Sequence, residues 1–296
     1  MNSHTIVLGF ADSRSLAGEL AERLAVASGE IEVHRFPDGE SRVSVPAELP
    51  QHVIICLSLD HPNEKLIELL LAAGAARDNG ALKLTLVAPY LCYMRQDKAF
   101  HPGESVSQKT IGTLMGTAFD AVVTVDPHLH RIERLEQAVS CSQAISLTAT
   151  QPIAEFIAER FDKPLLVGPD AESLQWVSSI AEGWGFDFTI GDKQRFGDRN
   201  VSIRLPENIS LAGRDVVIVD DMASTGRTMV AAAECVLPGK PASVSLIVTH
   251  ALFVGDAEAL IRATGIDHLW STDSIVHPTN AIALAQLLTD GIRRCL

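Results

Sequence analysis

The stretch Asp215-Val-Val-Ile-Val-Asp220-Asp221-Met-Ala223-Ser224-Thr225-Gly226-Arg227-Thr228 constrains this chain more than any other. Val216–Val219 is a β-branched run of the kind that forms a strand buried on both faces. Asp220 and Asp221 follow at its carboxyl end, then a Ser-Thr-Gly-Arg-Thr turn, then Met229–Val236, which reads as a helix. Strand–turn–helix units of this sort build open α/β sheets, whose ligands bind just beyond the carboxyl ends of strands. A turn of small hydroxyl residues at a helix start presents backbone N–H groups and suits a phosphate. Two carboxylates do not suit a phosphate, because like charges repel. They suit sugar hydroxyls, which need acceptors, or a Mg²⁺ that phosphates share. This one loop proposes a phosphorylated sugar. Receiver-type signalling domains also place an acidic pair after a strand, but after their first strand and without a hydroxyl-rich turn; here most of the chain precedes it.

The chain has 296 residues, 47% of them hydrophobic, which is enough for two ordinary cores or one large one. No apolar run is long enough for a membrane helix, and the N-terminus lacks a signal-peptide pattern. The 5 cysteines are scattered, without CxxC or zinc spacing, and read as reduced thiols of a cytoplasmic protein. A net charge of −13 with no basic block argues against nucleic-acid binding. It leaves anionic small molecules open, since loop amides, a few cations and Mg²⁺ can attract them locally.

Along the first half, Ile6–Phe10 is a strand, and Leu16, Leu20 and Leu24 mark one helix face. Glu32–Phe36 and Ser41–Val45 flank the turn Pro37-Asp38-Gly39-Glu40 and form a hairpin. Val53–Cys56 is a buried strand. Asn63 can cap a helix with Leu66, Ile67, Leu70 and Ala73 on one face. Leu84–Ala88 leads into Pro89-Tyr90-Leu-Cys-Tyr93-Met-Arg95-Gln96-Asp97-Lys98, which crowds aromatics, cations and an acid just past a strand end. Helix 107–118 precedes the strand Ala121–Val125 and then Asp126-Pro127-His128, where a carboxylate and an imidazole can face one cation.

Residues 140–146 are the best candidate for a junction, and the second half repeats the rhythm of strand then helix. Thr150 and Pro152 start a helix, and Leu165–Gly168 is a strand ending in Pro169-Asp170. Gly191-Asp-Lys193-Gln194-Arg195-Phe-Gly197 reads as a mobile loop of cations among glycines. Val244–His250 is a late strand, Leu269-Trp270 opens another, and 278–294 reads as a terminal helix with Ile282, Leu284, Leu287 and Leu288 inward, able to pack back on the first half.

Val217–Thr228 resembles the ribose-phosphate-binding signature of type I phosphoribosyltransferases and ribose-phosphate pyrophosphokinases. The resemblance implies that Asp220 and Asp221 hold the ribose 2- and 3-hydroxyls, and that Ala223, Ser224, Thr225, Gly226, Arg227 and Thr228 wrap the 5-phosphate. Ser224 replaces a common carboxylate in that loop. Phe36-Pro-Asp38-Gly-Glu40 is similar to a segment of the pyrophosphokinases that stacks its aromatic ring on adenine and offers carboxylates to its amino edge, usually in a neighbouring subunit. Pro89–Asp97 resembles a family segment that implies ATP contacts from Arg95 and Gln96, oriented by Asp97. Asp126-Pro-His128 resembles a family segment whose imidazole binds catalytic Mg²⁺; His130 lies outside that correspondence.

Pro169-Asp170 resembles a family turn in which Asp170 is a metal or ribose-side ligand, with Glu172-Ser173 where glycines are usual. Lys193 and Arg195 match a family loop that closes over transferring phosphoryl groups, with Gln194 in place of its middle arginine. The basic, hydroxyl-rich sequence of phosphate-regulated members is missing after Lys98.

The resemblance implies two phosphoribosyltransferase-like α/β domains, each a mostly parallel sheet flanked by helices: 1–146 for ATP and 147–296 for ribose 5-phosphate, the active site between them. It implies a homo-oligomer that transfers the β,γ-diphosphoryl group of ATP to ribose 5-phosphate. A phosphoribosyltransferase that consumes the diphosphate sugar, or a non-catalytic regulatory relative, are the alternatives.

Overall fold

The structure is a computed structural model that describes residues 4–129, 131–196 and 200–296. The chain divides into two compact units, Met1–Thr148 with Ala285–Leu296, and Ala149–Leu284.

The first unit runs β1 (Thr5–Gly9), α1 (Arg14–Leu24), β2 (Ala27–Glu30), β3 (Glu32–Arg35), β4 (Ser41–Ser44) and β5 (His52–Cys56). It continues with α2 (Pro62–Asp78), β6 (Lys83–Ala88), α3 (Ser107–Ala118), β7 (Ala121–Val125) and β8 (Gln143–Leu147). The second unit opens on α4 (Thr150–Ala158), then β9 (Leu165–Gly168), α5 (Leu174–Trp184), β10 (Asp187–Ile190), β11 (Asp192–Phe196), β12 (Asn200–Arg204) and β13 (Asp215–Ala223). After it come α6 (Arg227–Val236), β14 (Ser243–Ala251), α7 (Ala257–Ala263), β15 (His268–Thr272) and β16 (Asn280–Ile282), and α8 (Ala285–Arg293) is counted with the first unit.

Each unit holds a six-stranded sheet, ordered β2-β1-β5-β6-β7-β8 in the first and β10-β9-β13-β14-β15-β16 in the second. Every neighbouring pair in both sheets is parallel. The continuous apolar runs explain this: β5, β7 and β9 are buried at every residue, as strands covered on both faces must be. The two orders are the same pattern, and in each unit a two-stranded antiparallel hairpin follows the second sheet strand: β3–β4 and β11–β12. The repeated rhythm of the sequence is therefore a repeated fold.

Four local expectations are corrected. Residues 192–196 are a strand, not an irregular loop, with Lys193 opposite Ile203 and Asp192 opposite Arg204. The charges hid an alternation in which Ile203 turns inward and is 7% exposed. β13 runs on to Ala223, past the acidic pair, because β14 continues beside it, with Asp220 opposite Val248 and Ala223 opposite Ala251. Helix α2 begins at Pro62 after His61 in the left-handed region (φ 49°), so Asn63 lies inside the first turn; Ile67 faces outward while Leu69, Ala72 and Ala76 form the buried stripe. Asn280–Ile282 is a strand paired with β15, held by Asn280 Nδ2 donating to the Thr272 carbonyl at 2.6 Å, and the terminal helix starts only at Ala285.

Candidate functional site

In the second unit the strand order reverses between β9 and β13, and crevices at such switch points are where open α/β sheets bind ligands. The segment leaving β9 carries Asp170, and the last residues of β13 itself include the acidic pair. Asp170 caps a 3-10 turn, its Oδ1 accepting from the Glu172 amide at 3.0 Å and the Ser173 amide at 3.3 Å. Its other oxygen accepts from Lys193 Nζ at 2.6 Å, a mostly buried pair that ties the β11–β12 hairpin to this turn. Ser173 is fully buried and donates its hydroxyl to the Asp170 carbonyl at 2.6 Å, so the residue that stands where a glycine was expected closes the turn on itself.

Asp220 is half-buried and Asp221 is 2% exposed. Asp220 Oδ1 accepts from the Asp221 amide at 3.1 Å. Burial, then the charges of Asp221 and Asp170, push the Asp220 carboxyl well above the ordinary carboxylate range, against a smaller opposing pull from that amide and Lys193. Asp220 thus lies among two other carboxylates and one ammonium, and such a place attracts a cation or hydroxyl donors. Among the described residues, no three His, Cys, Asp or Glu side chains gather closely enough to cage a metal by themselves.

The phosphate-type turn follows directly. Gly226 is the N-cap of α6 with φ 73°, and Val230 N donates to its carbonyl at 2.9 Å to begin the helix. Helix first turns leave amides without intrahelical partners, and the helix dipole favours an anion there. The turn is braced from behind: Phe253 N donates to Ala223 O and Val254 N to Ser224 O, both at 2.9 Å. Ala223 is buried, Ser224 and Thr228 are half-buried, and Thr225 and Arg227 are exposed. A Cβ on Gly226 would sit 3.1 Å from the Ala257 carbonyl as well as in the left-handed region. Gly226→Ala is expected to cost about 1–2 kcal/mol, read as a lower urea midpoint at unchanged slope; an unchanged midpoint would contradict the strain.

In the first unit the candidate nucleotide residues lie in two places. Phe36, Asp38, Gly39 and Glu40 form the tip of the β3–β4 hairpin, closed by Phe36 N donating to Glu40 O at 2.8 Å and Glu40 N donating to Asp38 Oδ1 at 3.1 Å. The tip is exposed, with the Phe36 ring 40% exposed and meeting His34 edge-on at 4.7 Å. The second group stands at the carboxyl ends of β5, β6 and β7, whose loops are laced together: Leu59 N donates to Tyr90 O at 2.9 Å and Val125 N to Pro89 O at 3.3 Å. Here Arg95 is exposed and His128 is half-buried. Gln96 accepts from the Ser107 hydroxyl, and its carbonyl accepts from Gln108 N at 3.1 Å.

Asp97 is ion-paired with Arg131. Its second carboxylate oxygen is buried without a hydrogen-bond partner among the described residues. Arg131 was missed in the sequence, where nothing ties it to a position 34 residues earlier. The side chain of Arg195, though its strand is placed, lies outside the described set, as does His130.

The two parallel α/β sheets thus share one pattern, and an acidic strand end and a glycine-capped hydroxyl turn stand at the switch point of the second. Residues 5–118 match the N-terminal domain of ribose phosphate pyrophosphokinase, and residues 145–266 match the phosphoribosyl transferase domain. The ribose-phosphate pyrophosphokinase of Methanopyrus kandleri is 32% identical over 290 residues, spanning 97% of this chain and 98% of that protein. That of Saccharolobus solfataricus is 34% identical over 276 residues, spanning 91% and 93%. The crystal structure of phosphoribosylpyrophosphate synthetase from Mycobacterium smegmatis superposes with a TM-score of 0.83 at 21% identity, covering 99% of this chain and 98% of that one. This chain belongs to the ribose-phosphate pyrophosphokinase family.

Proposed function

We propose that the protein takes ATP and ribose 5-phosphate to AMP and 5-phosphoribosyl 1-pyrophosphate. The observation that carries this reading is the meeting of Asp170, Lys193, Asp220 and Asp221 beside the Gly226-capped turn. The turn Ala223–Thr228 takes the 5-phosphate, and Asp220 and Asp221 accept hydrogen bonds from the ribose hydroxyls. Phe36, Asp38 and Glu40 receive the adenine, with an exocyclic amine donating to carboxylates and a ring to stack on. Arg95 and Gln96 hold the nucleotide, and Asp97 acts through its pair with Arg131.

The sugar's 1-hydroxyl attacks the β-phosphorus and gives up its proton to solvent water. The bond from that phosphorus to the α,β-bridging oxygen breaks, and the oxygen leaves on AMP. Such transfers depend on in-line positioning and charge neutralisation and need no covalent protein intermediate. Lys193 and Arg195 are the residues that meet the charge developing on the phosphoryl oxygens, Lys193 by leaving Asp170 for them.

Mg²⁺ fits the carboxylates that gather around Asp220, which include Asp170 and Asp221. His128 and Asp170 are the residues proposed to hold it. The chemistry it would supply there is neutralisation of phosphate charge. A homo-oligomer whose exposed hairpin tips serve a neighbouring subunit, in the cytoplasm, completes the reading. Among the described residues no helix is long and apolar enough to cross a membrane.

The test is incubation with ATP, ribose 5-phosphate and Mg²⁺, with and without inorganic phosphate, followed by chromatography for AMP. AMP formation that requires the sugar is expected. Absence of AMP, together with turnover of the diphosphate sugar and a nucleobase, would assign the transferase instead.

A further inference from the structure

The β3–β4 hairpin stands apart from the six-stranded sheet as a two-stranded ribbon of four-residue strands. Isolated ribbons of that size are marginal in water, so something else must fix where the tip points. Val33 and Val43 pack on the core, which holds the ribbon down without specifying its tip.

Directly flanking the tip, Arg35 ends β3 and Ser41 begins β4. Both reach one carboxylate. Glu68 of α2, only 4% exposed, accepts from Arg35 Nε at 2.7 Å and Nη2 at 3.1 Å, and from the Ser41 hydroxyl at 3.2 Å. Glu64, one turn away, lies 3.9 Å from the same guanidinium. A carboxylate buried this deeply is costly unless paired, and the two-pronged arginine fork satisfies it in a single geometry. Ribbon and helix are therefore locked in one register.

We infer that Glu68 is a positioning residue for nucleotide binding, its one buried carboxylate holding both feet of the Phe36–Glu40 tip. The inference rests on the proposed role of that tip in receiving the base. Glu68 touches no substrate. It acts by keeping the Phe36 ring and the Asp38 and Glu40 carboxylates in a preset arrangement, so that binding does not have to order them.

The experiment compares Glu68→Gln, Arg35→Gln, the double variant and Phe36→Ala in steady-state kinetics with ATP and ribose 5-phosphate varied separately, each variant checked by thermal melting. Loss of a charge-assisted clamp is expected to raise KM for ATP about tenfold in either single variant. The double variant is expected to be no worse than the singles, because they disable one device. KM for ribose 5-phosphate and saturated kcat are expected to stay within about twofold, a split that general loosening of the fold would not produce. Should Glu68→Gln fail to fold, Arg35→Gln, changed on the exposed side of the pair, carries the test. If Phe36→Ala raises KM for ATP while the clamp variants, folded, leave it unchanged, the positioning role is wrong. If Phe36→Ala itself leaves KM for ATP unchanged, the tip does not receive the base and the underlying reading fails.

Discussion

Replacing Lys193 with alanine is expected to lower kcat by about 10²–10⁴, or roughly 3–5 kcal/mol of barrier, while both substrates still bind. Its ammonium sits 2.6 Å from Asp170 at the carboxyl end of β9, on a hairpin strand opposite Ile203. A cation on a paired strand is presented with less conformational freedom than one on an open loop, and preorganised charge is what stabilises a transition state spread over oxygens. The same change strands Asp170 on its two backbone amides and removes the cation that draws the Asp220 carboxyl downward, so the substrate-free protein is also expected to melt lower. Lys193→Arg, which keeps the charge, should recover part of both losses. Rapid-quench measurement of AMP formation with ATP and ribose 5-phosphate saturating decides the matter. Wild-type turnover in Lys193→Ala would remove lysine from the mechanism.

Asp220→Asn is expected to separate stability from function. The Asp220 carboxyl is held well above its ordinary value by burial first and by Asp221 and Asp170 second. The folded protein therefore keeps this proton at pH values where the unfolded chain, with a pKa of about 3.9, has lost it. The sign follows: the group's favourable contribution is complete below about pH 4 and is lost as pH rises through the elevated folded pKa. An amide does not titrate, so the variant's melting temperature should gain on wild type progressively as pH rises from about 4 toward neutrality. Its kcat/KM for ribose 5-phosphate should meanwhile fall by about 10²-fold, the scale of losing charge-assisted bonds to the sugar hydroxyls. Melting curves across that pH range, paired with kinetics at neutral pH, test both halves. A variant that melts lower than wild type at neutral pH, or that uses the sugar normally, would refute the assignment.

Much of the scaffold could be read from residue patterns, for local reasons. Helix α3 and strand β7 fall at the residues read as helix and strand, the strand because a β-branched run suits burial on both faces. The β11–β12 hairpin escaped because its charges masked a two-residue alternation, and β16 because three residues carry no period at all. The candidate site divides in the same way. Gly226, Asp220 and the Phe36–Glu40 turn announce themselves through adjacency, each being a contiguous set with a stated chemical use. The partners of those residues do not: Asp97 with Arg131, Asp170 with Lys193 and Glu68 with Arg35 are pairs distant in sequence, and nothing in either member's neighbours names the other.

The amino-acid sequence alone determined the parallel α/β class, the glycine-capped hydroxyl turn after an acidic strand end and the exposed aromatic-acidic tip, because strand burial and turn chemistry are properties of consecutive residues. Only the tertiary structure decided that the two halves share one strand order, that Lys193 stands on a paired strand against Asp170, and that the acidic pair is split between a buried and a half-buried carboxylate. Those outcomes depend on which strands lie side by side and which charges share a desolvated space, and both are set by long-range packing.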